Sequence, residues 1–215
     1  HLCDRRQRQM CIRDRYNIIM RIPRNNTTSF GAKFIKSAQI QKFDTKTGTY
    51  ASKKVSFVEL EPDNFSDVWA VAMAAKYWPD EFYASNIAYC ANRIFAKDPK
   101  FANKKVYALT KQKDGLHDLN DTEILGLAEV TETNKHSVEL EYLQVDPSII
   151  YSYPEKPLKK IGTRILDMLK LVYKDKAITL TSRLGKTSDF YVKNGFQCIA
   201  VSYTHLRAHE TSAHL

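Results

Sequence analysis

The chain has 215 residues, of which 43% are hydrophobic and 27% charged, with a formal net charge of +9. That is enough for one domain with a sizeable core, and it excludes disordered, collagenous and disulfide-scaffold classes. No apolar run approaches the ~20 residues of a bilayer-spanning helix, so a soluble cytoplasmic protein is expected, without a membrane partner. The basic balance suits nucleic acid or a polyanionic cofactor and does not choose between them.

The two ends read differently from the middle. The opening HLCDRRQRQMCIRDR and the closing SYTHLRAHETSAHL resemble translated adaptor read-through of a metagenomic fragment, and Met20 begins a more ordinary start. On this reading residues 1–53 are a non-native leader and a flexible extension, 54–202 form the domain, and 203–215 are a non-native tail. Arg5, Arg6, Arg8, Arg13 and Arg15 outweigh Asp4 and Asp14, so the remainder carries +6 of the +9. Cys3 and Cys11 drop out, leaving Cys90 and Cys198 as free thiols. His205, His209 and His214 beside Glu210 then cease to suggest a metal tract, and no metal site is expected.

Within residues 20–53 the composition is polar, with a turn signal at Asp44 to Gly48. Phe34, Ile35, Ile40 and Phe43 offer a weak hairpin with the strand that follows, but most of the stretch reads as an extension. Regular structure starts at 55–60, where Val55 and Phe57 share a face. Asp63 is placed as the N-cap of a helix carrying Phe65, Val68, Ala72 and Ala75, which Trp78-Pro79 stops. A second helix over 81–96 presents Phe82, Ile87, Cys90, Ile94 and Phe95. Both aromatic stripes read as core.

Three strands follow at 105–111, 123–131 and 136–145, joined as antiparallel neighbours. Residues 147–157 form an irregular insertion. A helix over 162–173 repeats Ile161, Ile165, Met168, Leu169 and Val172 every three or four positions. A strand at 177–182, a short helix stopped by Asn194-Gly195, and a strand at 196–203 complete the order. The pattern predicts a mixed α/β (α+β) fold: a meander followed by a right-handed parallel crossover.

Leu143-Gln-Val-Asp-Pro147, then LKKIGTRIL at 158–166, then DFYVKNGF at 189–196, resembles the GNAT N-acetyltransferase superfamily over residues 54–202. The resemblance implies a central mixed sheet of about six strands flanked by four helices, with the family's last strand missing. It also implies acetyl-CoA as acyl donor and an amine acceptor, either a small molecule or a peptide or protein amine. KKIGTR puts Gly162 on the last glycine of the family's Gln/Arg-x-x-Gly-x-Gly/Ala pattern, with Lys160 on the first glycine position and Pro157 on the Gln/Arg position. The backbone of Ile161, Gly162 and Thr163 would cradle the pyrophosphate at a helix N-terminus, with Lys159 and Lys160 adding charge.

The same resemblance assigns the strand before the loop. Backbone groups at Leu143 and Val145 would pair with the pantetheine arm and with the thioester carbonyl. Tyr191 sits where the family places a phenol that protonates the departing thiolate. Glu141 is the candidate base and Glu139 the second choice, both on one strand face with Tyr142 on the other. Leu184 stands where the family often has Asn, leaving Ser182 or Ser188 to substitute. A GNAT-like module that binds acyl-CoA without catalysis is the alternative. A nucleic-acid binder has charge in its favour but no recognisable motif.

Overall fold

The structure, a computed structural model, describes residues 31–78, 82–113, 118–182 and 186–197. Both ends singled out above, Leu184, and most of the expected final strand lie outside those residues.

The chain starts its regular part earlier than the composition suggests. Strand β1 (Lys33–Asp44) pairs antiparallel with β2 (Thr49–Glu59) from Lys33↔Glu59 to Asp44↔Thr49. The weak-hairpin alternative is therefore what these residues adopt, and the expected extension over this stretch is corrected. The reason is alternation. Ala38, Ile40, Val55 and Phe57 are buried on one face, while the other face exposes Gln39, Gln41, Ser52 and Lys54 before burying Ser56 and Val58. Averaged over both faces, such a ribbon resembles a polar loop. Its turn closes with Gly48 at φ +66°, where the amide of Gly48 donates to the Asp44 carbonyl.

Helix α1 (Phe65–Tyr77) is capped by Asn64 rather than Asp63: the Asn64 side chain accepts from the Ser66 amide. Asp63 pairs with Lys97 instead. Its buried positions are Asp67, Val68, Ala70, Val71, Ala74 and Ala75, with Trp69 left 46% exposed. Helix α2 (Phe82–Phe95) buries Ile87 and Cys90 as expected. Strands β3 (Lys104–Thr110), β4 (Ile124–Glu132) and β5 (Ser137–Val145) then form the meander. A one-turn helix α3 (Pro147–Ile150) and a two-residue strand β6 (Leu158–Lys159) lead to α4 (Ile161–Val172), β7 (Ala177–Thr179) and α5 (Lys186–Lys193).

The sheet order is β6-β1-β2-β3-β4-β5-β7, with only β5 and β7 parallel. Seven strands and five α-helices among the described residues make the mixed α/β fold that the element order predicts. The two further strands are β1, which precedes Val55, and β6, two residues long and paired only with β1.

Alternate residues of the central strands feed two cores. Val106 and Ala108 pack with α1 and α2, while Tyr107 and Leu109 pack with Ile161, Ile165, Leu166 and Leu169 of α4. Gly126 brings α4 close: a Cβ there would lie 2.7 Å from Ile165 Cδ1. Among the described residues no helix is long and apolar enough to cross a membrane.

Candidate functional site

The site begins with an irregularity in β5. Tyr142 is opposite Glu129 of β4 and Leu140 is opposite Val130, so Glu141 is one residue more than the partner strand can match. A bulge of this kind shifts the in-and-out alternation by one position. Val138 and Leu140 face α4 before it, and Leu143 and Val145 face α4 after it. Tyr142 falls on the α1–α2 side, where it packs on Tyr83 with ring centroids 5.6 Å apart. The expectation that Tyr142 opposes the Glu141 face is thereby corrected: strict alternation does not survive the extra residue.

Pairing on the other edge of β5 stops just before the bulge. The parallel ladder with β7 runs through Ser137↔Ala177, Val138↔Ile178 and Glu139↔Thr179 and goes no further. From Leu140 to Val145 that edge has no strand beside it among the described residues. A cavity of about 870 Å³ lies beside this edge at Leu143 to Val145. It is lined by Leu143 and Val145, by Lys156, Lys159 and Lys160, by Ile161 and Gly162, and by Tyr191 with Tyr83 and Phe190.

Helix α4 starts at this cavity. Lys160 is its N-cap residue, in the left-handed region at φ +73°, and gives no side-chain cap. The first intrahelical bond runs from the Arg164 amide to the Lys160 carbonyl at 2.9 Å. The amides ahead of it, those of Ile161, Gly162 and Thr163, belong to the unsatisfied first turn of a helix, where the dipole favours an anion. Lys160 thus occupies a backbone position suited to glycine. Gly162 serves a purpose beyond the one expected: a Cβ there would sit 3.1 Å from Phe190 Cζ and 3.6 Å from Val145 Cγ2, so its absence lets α5 seat on the start of α4.

Of the two lysines proposed for phosphates, Lys159 is partly committed elsewhere, its ammonium 3.7 Å from the Tyr50 ring centroid. The segment leading into α4 is fastened to the hairpin: Tyr50 donates to the Lys156 carbonyl, the Phe43 amide to the Pro157 carbonyl, and Arg164 Nε to the Gln39 carbonyl. Thr163 is partly buried and does not line the cavity.

Solved structures assigned to the GNAT family or predicted to be acetyltransferases resemble this chain in outline. A structure from Desulfovibrio desulfuricans assigned to the GNAT family has a TM-score of 0.47 and 15% identity, covering 72% of this chain and 92% of its own. A GNAT-family acetyltransferase of Streptococcus pneumoniae gives 0.40 and 17%, covering 66% and 87%. A predicted acetyltransferase of Clostridium acetobutylicum solved with acetyl-CoA gives 0.38 and 16%, covering 67% and 91%. No protein-family model and no curated protein sequence matches the chain. These likenesses assign no activity to it.

Tyr191 is held between two rings, Phe190 at 5.2 Å and Phe196 at 5.8 Å between centroids. Burial, with Tyr83 nearby, pushes its phenol above the ordinary value, so it keeps its proton at neutral pH. Helix α5 is stopped in the expected way: Gly195 takes φ +84°, with the Gly195 amide bonding the Val192 carbonyl and the Phe196 amide the Tyr191 carbonyl. That closure fixes the turn on which Tyr191 sits.

The two glutamates do not line the cavity. Glu141 Oε1 accepts from Thr131 Oγ1 at 2.8 Å and lies 3.5 Å from Lys104 Nζ. Lys104 also bonds Glu129 Oε1 at 2.7 Å. Glu129 is 2% exposed, and its Oε2 has no hydrogen-bond partner among the described residues. Burial pushes Glu129 up despite the lysine. Burial alone would lower Lys104, but Glu129 and Glu141 hold the ammonium above its usual range. Glu139 lies where the β7 pairing ends. Sequence reasoning missed Tyr83, Lys156, Lys104 and Glu129. Glu129, the one carboxylate inside the buried run 124–130, was the one available signal, because a carboxylate in a fully buried stretch of strand needs a partner.

Proposed function

We propose that this chain transfers an acetyl group from acetyl-CoA to an amine, by direct attack with both substrates bound together. One observation carries the reading. A single cavity gathers a strand edge unpaired among the described residues, an uncapped helix N-terminus with Lys156 and Lys160 beside it, and a half-buried phenol. An acyl-CoA needs those three things: a backbone edge for its amide-bearing arm, amides and cations for its phosphates, and a proton for its thiolate.

Each group has a part. The edge at Leu143 to Val145 aligns the arm as an added strand would, and a backbone N–H there stabilises the oxyanion that forms on the thioester carbonyl. Ile161 and Gly162, which line the cavity, present amides to the pyrophosphate, with the Thr163 amide behind them in the same unsatisfied turn. As the new C–N bond forms and the C–S bond breaks, Tyr191 gives its proton to the leaving sulfur. Glu141, with Glu139 two residues earlier, takes the proton released by the amine, through water, on the α1–α2 side of the strand.

A kinetic comparison tests the assignment. With a panel of amine acceptors and acetyl-CoA, Tyr191→Phe is expected to lower kcat by about a hundredfold while leaving the KM for acetyl-CoA within about twofold. Turnover unaffected by the substitution would remove Tyr191 as the acid. Binding of acetyl-CoA with no turnover on any amine would favour a non-catalytic acyl-CoA module.

A further inference from the structure

The bulge in β5 is tied down from outside its own strand. The extra residue, Glu141, is held through Oε1 by Thr131 of β4 and by Lys104 of β3. Lys104 reaches across to Glu129, the residue of β4 at which the register shifts. One ammonium therefore joins the extra residue to the carboxylate on β4 at the register shift. A bulge leaves its extra residue outside the ladder, so side-chain ties are what keep it at one position along the strand.

Its position matters for the cavity. The β7 ladder ends at Glu139, and the alternation that turns Leu143 and Val145 toward α4 resets at Glu141. Moving the extra residue by one place would exchange the faces of the residues between its old and new positions. Phe101 closes the other side of the ammonium, with Lys104 Nζ 5.8 Å from its ring centroid. The side chains of Lys104, Glu129 and Glu141 are 19%, 3% and 30% exposed, so the Glu129 half of the brace is shielded from solvent and salt and the Glu141 half less so.

We propose that Lys104 is a positioning residue: by bridging Glu129 and Glu141 it pins the β5 bulge and so keeps the acyl-donor edge at Leu143 to Val145 open and correctly faced. The consequence for acetyl-CoA rests on the acyl-transfer reading above; the pinning itself does not. The lysine acts through the strand and touches neither substrate.

Hydrogen exchange on the full chain separates the two claims. Lys104→Met keeps the length of the side chain and removes its charge. Exchange across residues 138–146 is expected to quicken about tenfold, with residues 33–44 unchanged and Lys104→Arg close to wild type. Acetyl-CoA affinity should fall about tenfold in Lys104→Met and recover in Lys104→Arg. If Lys104→Met does not fold, Glu141→Gln, which removes one of the two attractions and little volume, is expected to quicken exchange over the same residues severalfold. Exchange that is unchanged, or that rises equally in the hairpin, overturns the brace. A wild-type chain that binds no acetyl-CoA refutes the cofactor reading alone, and the exchange pattern still decides what Lys104 does.

Discussion

The two faces of the sheet are built on different principles. The α4 face is an apolar core, Ile40, Val55, Phe57, Leu125, Leu140, Ile165, Leu166 and Leu169, and its inner polar contact is a phenol pair, Tyr107 to Tyr173 at 2.8 Å. The α1–α2 face buries ionisable groups: Asp67, Glu129 and the Lys104 bridge. Burial pushes the Cys90 thiol up on that side as well, with Glu129 adding to the effect. A packed face gains stability from every methylene, whereas a face with half-satisfied carboxylates gives some back. The cavity beside Leu143 to Val145 draws on both sides, with Tyr83 of α2 and Ile161 and Gly162 of α4 in its lining.

The contrast can be broken most strongly on the packed side. Leu169 is fully buried against the sheet, and Leu169→Ala is expected to cost about 3 kcal/mol of unfolding free energy. That loss should be the same at pH 5 and pH 7.5, as read by urea denaturation. A loss under about 1 kcal/mol would mean that α4 is not anchored by this contact.

The charged side predicts a gain, and one that depends on pH. Asp67 is 0% exposed, accepts from the Leu119 amide through Oδ1 at 2.9 Å, and leaves Oδ2 without a partner among the described residues. Burial, with Asp118 nearby, pushes its carboxyl from 3.8 up to about 6. The folded chain therefore holds a proton that the unfolded chain releases, so this group's contribution is most favourable below pH 3.8 and is lost as pH rises through 6. The difference is about 3 kcal/mol at neutral pH. Asp67→Asn keeps the acceptor for Leu119 and removes the charge, at a cost of about 1 kcal/mol for an unpaired amide donor. A net gain of about 2 kcal/mol at pH 7.5, absent at pH 4, is expected from paired urea titrations. An equal effect at both values would show that Asp67 is not a buried charge.

How far the sequence discloses this structure depends on the kind of signal. Helices with a 3.6 period and strands with clean alternation are legible: α2, α4, β3, β4 and β5 are found within a few residues of their expected places. The β1–β2 hairpin is not, because its exposed face is so polar that alternation is diluted. Capping at Asn64 rather than Asp63 turns on a contact with Asp118, 54 residues away, which local pattern does not contain. The site divides in the same way. Tyr191 and the 159–162 segment are local motifs and are brought to one cavity. The faces of Glu141 and Tyr142 depend on a bulge set by pairing with β4, and Lys104 reaches it from a third strand.

A smaller effect concerns the cap of α4. Lys160 pays for a left-handed backbone that glycine adopts freely, and Lys160→Gly should be neutral to stabilising by about 1 kcal/mol while removing one cation from the cavity. Thermal unfolding without ligand reads the first part. A clear drop in Tm would show that the Lys160 side chain contributes packing that outweighs the strain.

The most direct test of the cavity is calorimetric titration of the full chain with acetyl-CoA, beside the charge reversals Lys156→Glu and Lys160→Glu. Micromolar binding, weakened about tenfold or more by each reversal in proteins that unfold at the wild-type temperature, is the predicted result. A folded wild-type chain that takes up no heat with acetyl-CoA, or that binds it equally well with both lysines reversed, would contradict the assignment of this cavity to an acyl-CoA.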